Sequence, residues 1–409
     1  MLSRASLGVR GGSAVAIPVF VAKLFVGAVT VVAIGRQLFD GTVQGLPALA
    51  TQVTFGSYSV TWLALLAIGL ILVASIFAAF GGRVLYWLQW VAAVVGVVAV
   101  IAFASTALSG GVVSKLDFGA AVSGLQIAQA LALAGLVGAA LGAIWTASVA
   151  DFTRQVPMSE SGKKVALFVA LPVGILSLLA ALAGALAFGA TKQNASGSVM
   201  TSLLAQLPDW SGSVLLIGGA LQLLVWAASW LYSSSVSLRG LGLRVGRILG
   251  QAIVFAFVLV VLSLGLSITA DALRAAFVIC LVVLMAFSGV FVGDVWRRKA
   301  AYDETSLRQA FGFYGSVNWL NLSAFVASVA IGLGFVSTSL DSYFVTNFIG
   351  RYWTAIDFKD ALAGLFIAFV IAAAIPAAFG VKRIRAQEQS VLEVEARRST
   401  FDSVDLGAI

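Results

Sequence analysis

Long apolar runs that are almost free of charge set what this chain can fold into. Ten such runs centre on residues 13–35, 57–80, 84–107, 119–150, 164–190, 212–235, 248–268, 273–293, 317–339 and 361–380. Short loops with Gly, Pro, Asn, Asp or basic residues separate them, as chain breakers should. A spanning helix needs about 20 apolar residues, and none of the runs alternates with the period of a barrel strand. Water cannot face this much apolar surface: 61% of the residues are hydrophobic and only 10% charged, whereas a soluble domain carries about 25% charged residues. The expected fold is all-α, a polytopic protein crossing the lipid bilayer about ten times. Residues 1–380 form its transmembrane domain. The mixed charges of 381–409 show no clean period, which reads as a partly disordered cytoplasmic tail.

The basic residues orient this scheme. Of the 25 Lys and Arg, eighteen fall on one side of the alternating loops and six on the other, with Lys23 inside the first run. The positive-inside bias then places both termini in the cytoplasm, and the expected location is the cell (inner) membrane. The net charge of +8 belongs to these loops, so nucleic acid is not an expected partner. The opening Met1-Leu-Ser-Arg4 does not read as a secretory signal, because Lys23 interrupts the apolar core and no small-residue cleavage site follows.

Composition also prunes the chemistry. There is no histidine, and the single cysteine, Cys280, lies in an apolar run. A zinc site needs three or four Cys, His or carboxylate ligands, and a disulfide within the chain needs a second cysteine. Histidine-dependent triads are excluded, and neither GxSxG nor HExxH occurs. The chain is expected to be no enzyme and to carry no cofactor. Passage of a solute through the membrane is the leading reading.

A few residues stand out against this background. Phe118 to Ala150 runs 33 residues without a charge, about 50 Å of helix against a hydrocarbon core of about 30 Å. It holds Gln126, Gln129, Gly135, Gly138 and Gly142. Such a stretch is either a discontinuous helix that binds substrate at the midplane or a tilted helix whose small residues admit a close neighbour. Lys23 is the sole charge deep in a span. It either occupies a cation's place and titrates, or snorkels to an interface. Gln126, Gln129 and Gln222 either read a polar ring edge or tie helices together. Trp226 and Trp230, four apart on one helical face, either line a pathway or pack.

Four segments carry a family resemblance. They are Arg4-Ala-Ser-Leu-Gly-Val-Arg-Gly11, Trp145 to Pro157, Leu231 to Arg247, and Gly293-Asp294 to Arg298 continued by Tyr302-Asp303 and Tyr314 to Trp319. In order and spacing they resemble the SRASFGxRG, W-x5-DYSRYxP, NLYS…LGLRxPR and DYFxxRRGxYD…YGxxNW segments of the nucleobase:cation symporter-1 family, on its purine–cytosine permease branch. The resemblance covers nearly the whole chain. It implies a five-plus-five inverted-repeat transporter that imports cytosine, purines, allantoin, hydantoins or related planar heterocycles with Na⁺ or H⁺ by alternating access. The chain matches the family's third to twelfth helices, so Met1 reads as a mis-chosen start or as the start of a truncated product. The alternative function is then a transport-incompetent homologue that binds a ligand or partner without moving it.

With the resemblance added to these readings, Trp145, Gln126, Gln222, Thr30 and Trp230 become candidate substrate contacts, and Lys23, Asp151, Arg154 and Ser229 candidate coupling or gating residues. Trp145 either stacks on a base or anchors at the interface, and Asp151 with Arg154 either gates or caps. The sequence departs from the family pattern at three places. Val26-Gly27-Ala28-Val29-Thr30-Val31 keeps Thr30 but lacks the branch's aromatic and polar pair. Trp230 replaces an Asn. Leu221 to Ser229 offers Gln222 but no hydroxyl before Ser229, so a sodium site built as in some relatives lacks its ligands. The particular ring, the coupling ion and the oligomeric state are not specified by the sequence.

Overall fold

Among the described residues, most of the apolar sequence is helical. The computed structural model describes residues 3–43, 52–109 apart from 56–57, and 207–405 with short breaks at 242, 244, 268–269, 300–301, 304–305, 308, 310–311, 339–340, 342–344 and 353–362, together with positions 142, 167, 171 and 204. The expected spans at 119–150 and 164–190 lie outside these residues.

In chain order the described elements are α1 (Ser3–Leu7), α2 (Val9–Val43), β1 (Gln52–Phe55), β2 (Tyr58–Thr61), α3 (Trp62–Phe80), α4 (Gly82–Ser109), α5 (Asp209–Gly240), α6 (Arg247–Ser267), α7 (Ala270–Arg297), α8 (Trp319–Gly334), a 3-10 turn (Gly350–Tyr352), α9 (Ala363–Phe379) and α10 (Val381–Asp405). Among the described residues, four helical stretches are long and apolar enough to cross a membrane: Val9–Gly35, Gly82–Ser105, Asp209–Leu238 and Asp271–Arg297. α9 and the first part of α10, bent by 62° at their junction, would add a fifth only if the pair formed one span. Shorter apolar helices occupy the expected spans in α3, α6 and α8. The protein is a multi-pass helical membrane protein.

Two sequence expectations are corrected. The run at 57–80 is not helical from its start, because Tyr58–Thr61 pairs antiparallel with Gln52–Phe55 and the helix begins at Trp62. Val53, Phe55, Tyr58 and Val60 alternate with Gln52, Thr54, Ser59 and Thr61, which is the two-residue period of a strand. The tail is not a loose segment either. It forms α10, and Ile384, Gln387 and Val391 bury one side of it. Those steps of three and four residues are the helical period that the interspersed charges hide.

Packing relies on small residues, as expected where lipid tails give helices no hydrophobic reason to associate. A Cβ on Gly289 or Gly293 of α7 would collide with the carbonyl oxygens of Phe369 and Ala373 on α9, so the two backbones touch. One continuous core, drawn from each of the helices α1 to α9, joins the bundle. Lateral ties mark which helix ends lie together. Arg247 at the start of α6 donates to Phe80 O at the end of α3 (3.2 Å), and Arg297 at the end of α7 donates to Ala377 O near the end of α9 (2.9 Å).

At the far end of α8 the chain turns on Asp341. Its carboxylate accepts from Ser337 Oγ (2.6 Å), Thr338 N (2.8 Å), Thr346 Oγ1 (2.7 Å) and Asn347 Nδ2 (3.3 Å). Partial burial pushes its pKa up, but these four donors outweigh that effect and hold it below the usual carboxylate value.

Candidate functional site

The polar side chains of the membrane-crossing region collect on α5. Gln222, Trp226, Ser229, Ser233 and Ser237 follow one another at steps of three or four, with Trp230 beside them, so they share a face. That face meets α2 and α4.

On the α2 side, Lys23 sits near the middle of the span Val9–Gly35 and is 1% exposed. Its Nζ donates to Ser233 Oγ at 2.8 Å and to Ser237 Oγ at 3.4 Å. A helical side chain leans toward its own N-terminus, which carries the ammonium toward the C-terminal end of α5. The charge is buried and solvated by protein hydroxyls, close to the end of the span Asp209–Leu238. Trp230, also 1% exposed, donates from Nε1 to Lys23 O at 3.1 Å. It comes this close because residue 27 is glycine, where a Cβ would collide with the indole. Trp226 lies nearly parallel to it, ring centroids 6.1 Å apart and planes 17° apart. Here the tryptophans pack.

On the α4 side, Gln89 Nε2 donates to Ser229 Oγ (3.0 Å) and Gln222 Nε2 donates to Ala92 O (2.6 Å). Gly96 makes room for that second amide, since a Cβ there would lie 2.5 Å from its nitrogen. Gln222 and Ser229 therefore join helices. Thr30 turns its hydroxyl back onto Val26 O of its own helix (2.7 Å), an ordinary use of a helical threonine. Trp145, Gln126, Gln129, Asp151 and Arg154 lie outside the described residues.

The structure thus brings Lys23 and Trp230 together on one seam and Ser229 and Gln222 on the next. It adds four residues that the sequence reading did not single out: Gln89, Ser233, Ser237 and Gln251, the last donating to Ser235 Oγ at 2.8 Å. Ser233 and Ser237 were within reach of sequence reasoning, because they continue the helical spacing of Trp226 and Trp230. Gln89 was not, since its role appears only once α4 lies against α5.

Two of the resemblance segments meet at one end of the bundle. Val9 N and Arg10 N donate to Gly315 O (3.0 Å) and Ser316 O (2.8 Å), and Asn318 N donates to Leu7 O (2.8 Å). Gly8, at φ +81°, makes the turn, and its absent Cβ would stand 2.7 Å from Ser316 O. Asn318 caps α8, accepting from Asn321 N, and its amide donates to Ser6 O at 2.6 Å. Behind this turn Asp294 and Arg298 form a buried ion pair at 2.9 Å. The Arg298 guanidinium lies 5.0 Å from the Tyr302 ring centroid and 5.6 Å from that of Tyr314. Burial pushes the Tyr302 phenol up to about 12, partly offset by Arg298, and raises that of Tyr314. Among the described residues there is no group of three or more His, Cys, Asp or Glu that could hold a metal ion. Comparison with protein-family models and with curated proteins returns no match.

Proposed function

We propose that the chain is a secondary-active permease of the nucleobase:cation symporter-1 kind. It imports a small planar nitrogenous heterocycle of cytosine, purine, allantoin or hydantoin type by alternating access. The observation that carries this reading is the buried Lys23 ammonium, held by Ser233 and Ser237 in the midst of membrane-spanning helices. An intramembrane charge is costly and marks solute or ion pathways in membrane proteins. Lys23 supplies one fixed positive charge to the seam, which favours H⁺ over Na⁺ as the coupling ion. The four sequence resemblances support the substrate class, and we assign the chain no enzymatic activity.

The test is uptake of labelled cytosine, adenine and hydantoin into proteoliposomes under an imposed pH or Na⁺ gradient. Uptake of none of the three, with either gradient, overturns the reading. A second reading is binding without transport. It is favoured by Thr30, Gln222, Ser229 and Trp230, each of which spends a hydrogen bond on its own bundle. Ligand affinity in detergent without uptake in vesicles would establish it.

A further inference from the structure

We propose that α10 is a latch that holds the basic end of the bundle shut and opens it by swinging about Gly380. Its inner face grips three separate pieces of the chain. Arg383 donates to Ala5 O (3.0 Å) and Ser6 O (3.2 Å) of α1 and to Tyr314 O (3.3 Å) in the turn before α8. Gln387 Oε1 accepts from Arg298 Nη2 (2.7 Å), and Glu388 Oε1 accepts from the Lys299 amide beyond α7. Ile384 and Val391 are buried on the same side of the helix. One helix thus bridges the entry to α2, the exit of α7 and the entry to α8, three places that must separate if this end is to open.

Two further observations make the contact releasable. The helix is attached through a 62° bend at Gly380, where a Cβ would stand 2.5 Å from Pro376 O. The joint is therefore specific to glycine, at the end of a helix that already contains Pro376. The closed junction also leaves three buried polar atoms, Ser6 Oγ, Asn321 Oδ1 and Asp294 Oδ1, without a protein hydrogen-bond partner among the described residues. Such atoms gain hydrogen bonds when water enters, so opening is opposed by the Arg383 and Gln387 contacts and favoured by these three groups. This is a two-state element of the kind that hinged closures use.

The transport reading enters only through the consequence for uptake, since the latch itself is a statement about conformation. The test uses the full chain in lipid nanodiscs, with Cys280→Ser and a single reporter, Ser6→Cys. The Ser6 hydroxyl makes no hydrogen bond to protein among the described residues, so its replacement breaks none of those described. The rate of modification by a charged, membrane-impermeant maleimide is read. Arg383→Ala is expected to raise it about tenfold or more, the equivalent of one lost charge-assisted hydrogen bond. Gln387→Glu, which sets a carboxylate against Arg298, is expected to slow it. Arg385→Ala, on the exposed side of the same helix, is the control. Equal rates for Arg383→Ala and Arg385→Ala overturn the latch. If Arg383→Ala does not fold, an unchanged or faster rate for Gln387→Glu overturns it instead. Uptake by the same samples separates the two claims: altered labelling with no uptake in any variant sinks the transport reading and leaves the latch standing.

Discussion

Lys23, Gly27 and Trp230 form one unit in which each residue explains the next. The ammonium lies on two α5 hydroxyls, the Lys23 carbonyl takes the indole N–H, and the missing side chain of Gly27 lets the indole approach. Lys23→Met keeps the stem and removes the charge. Removing the buried ammonium also removes its desolvation cost, so the variant is expected to fold and to lose at least about 90% of proton-driven uptake, one order of magnitude in rate. Full uptake by folded Lys23→Met would make the ammonium purely structural. Gly27→Ala is expected to force Trp230 aside and destabilise the fold by about 1–3 kcal/mol, as overpacking does, read as a lower thermal midpoint in detergent. Lys23 was legible in the sequence because a lone charge in an apolar run is conspicuous. Its partners were not, because a serine in a membrane helix looks the same whether it bonds its own backbone, as Ser234 does to Trp230 O, or a neighbouring helix, as Ser233 does.

Elements carry a different kind of information, and here contacts decide. The helices were legible wherever apolar length alone identifies them, as in α2, α4, α5 and α7. The β1–β2 pair and α10 were misread, since a dominant hydropathy signal masks a local period of two and dense charge masks a period of 3.6. The α7–α9 contact depends on Gly289 and Gly293. Gly293→Leu is expected to lower the thermal midpoint sharply, whereas Gly69→Ala on α3, which meets nothing within 4 Å, should leave it unchanged or slightly raise it. Equal effects would show that the two backbones do not rely on close approach. The α8–α9 connection depends on Asp341. Its folded pKa is depressed, so its contribution to stability is fully present above the unfolded value of about 3.9 and is lost as pH falls through the lower folded value. Asp341→Asn should therefore lower the thermal midpoint at pH 7, and its gap to the parent should close below about pH 4. A gap that stays constant from pH 7 to pH 3 would assign the loss to geometry rather than charge.

At the scale of the whole molecule, several basic side chains of the described residues tie helix ends together. Arg247, Arg297, Arg298 and Arg383 reach across helix ends at the same face of the bundle, joined by the segment that holds Arg10. Arg351 lies at the other face, donating to Asp341 O at 2.9 Å. The uneven distribution of loop charges was readable from sequence, whereas the junction built at the basic face needed folded backbone to be seen. This asymmetry leads to the proposed orientation, with the basic face and both termini in the cytoplasm. Leu243 (49% exposed, between α5 and α6) and Tyr352 (77% exposed, in the turn beyond α8) mark the two faces. In a Cys280→Ser background, Leu243→Cys is expected to react with an impermeant maleimide only in inside-out vesicles, and Tyr352→Cys only in intact cells. The reversed pattern would show that these loop charges do not orient the chain. Labelling of both positions from both sides would mean that it inserts in two orientations, in which case the six basic residues on the sparse side suffice to compete with the eighteen on the other.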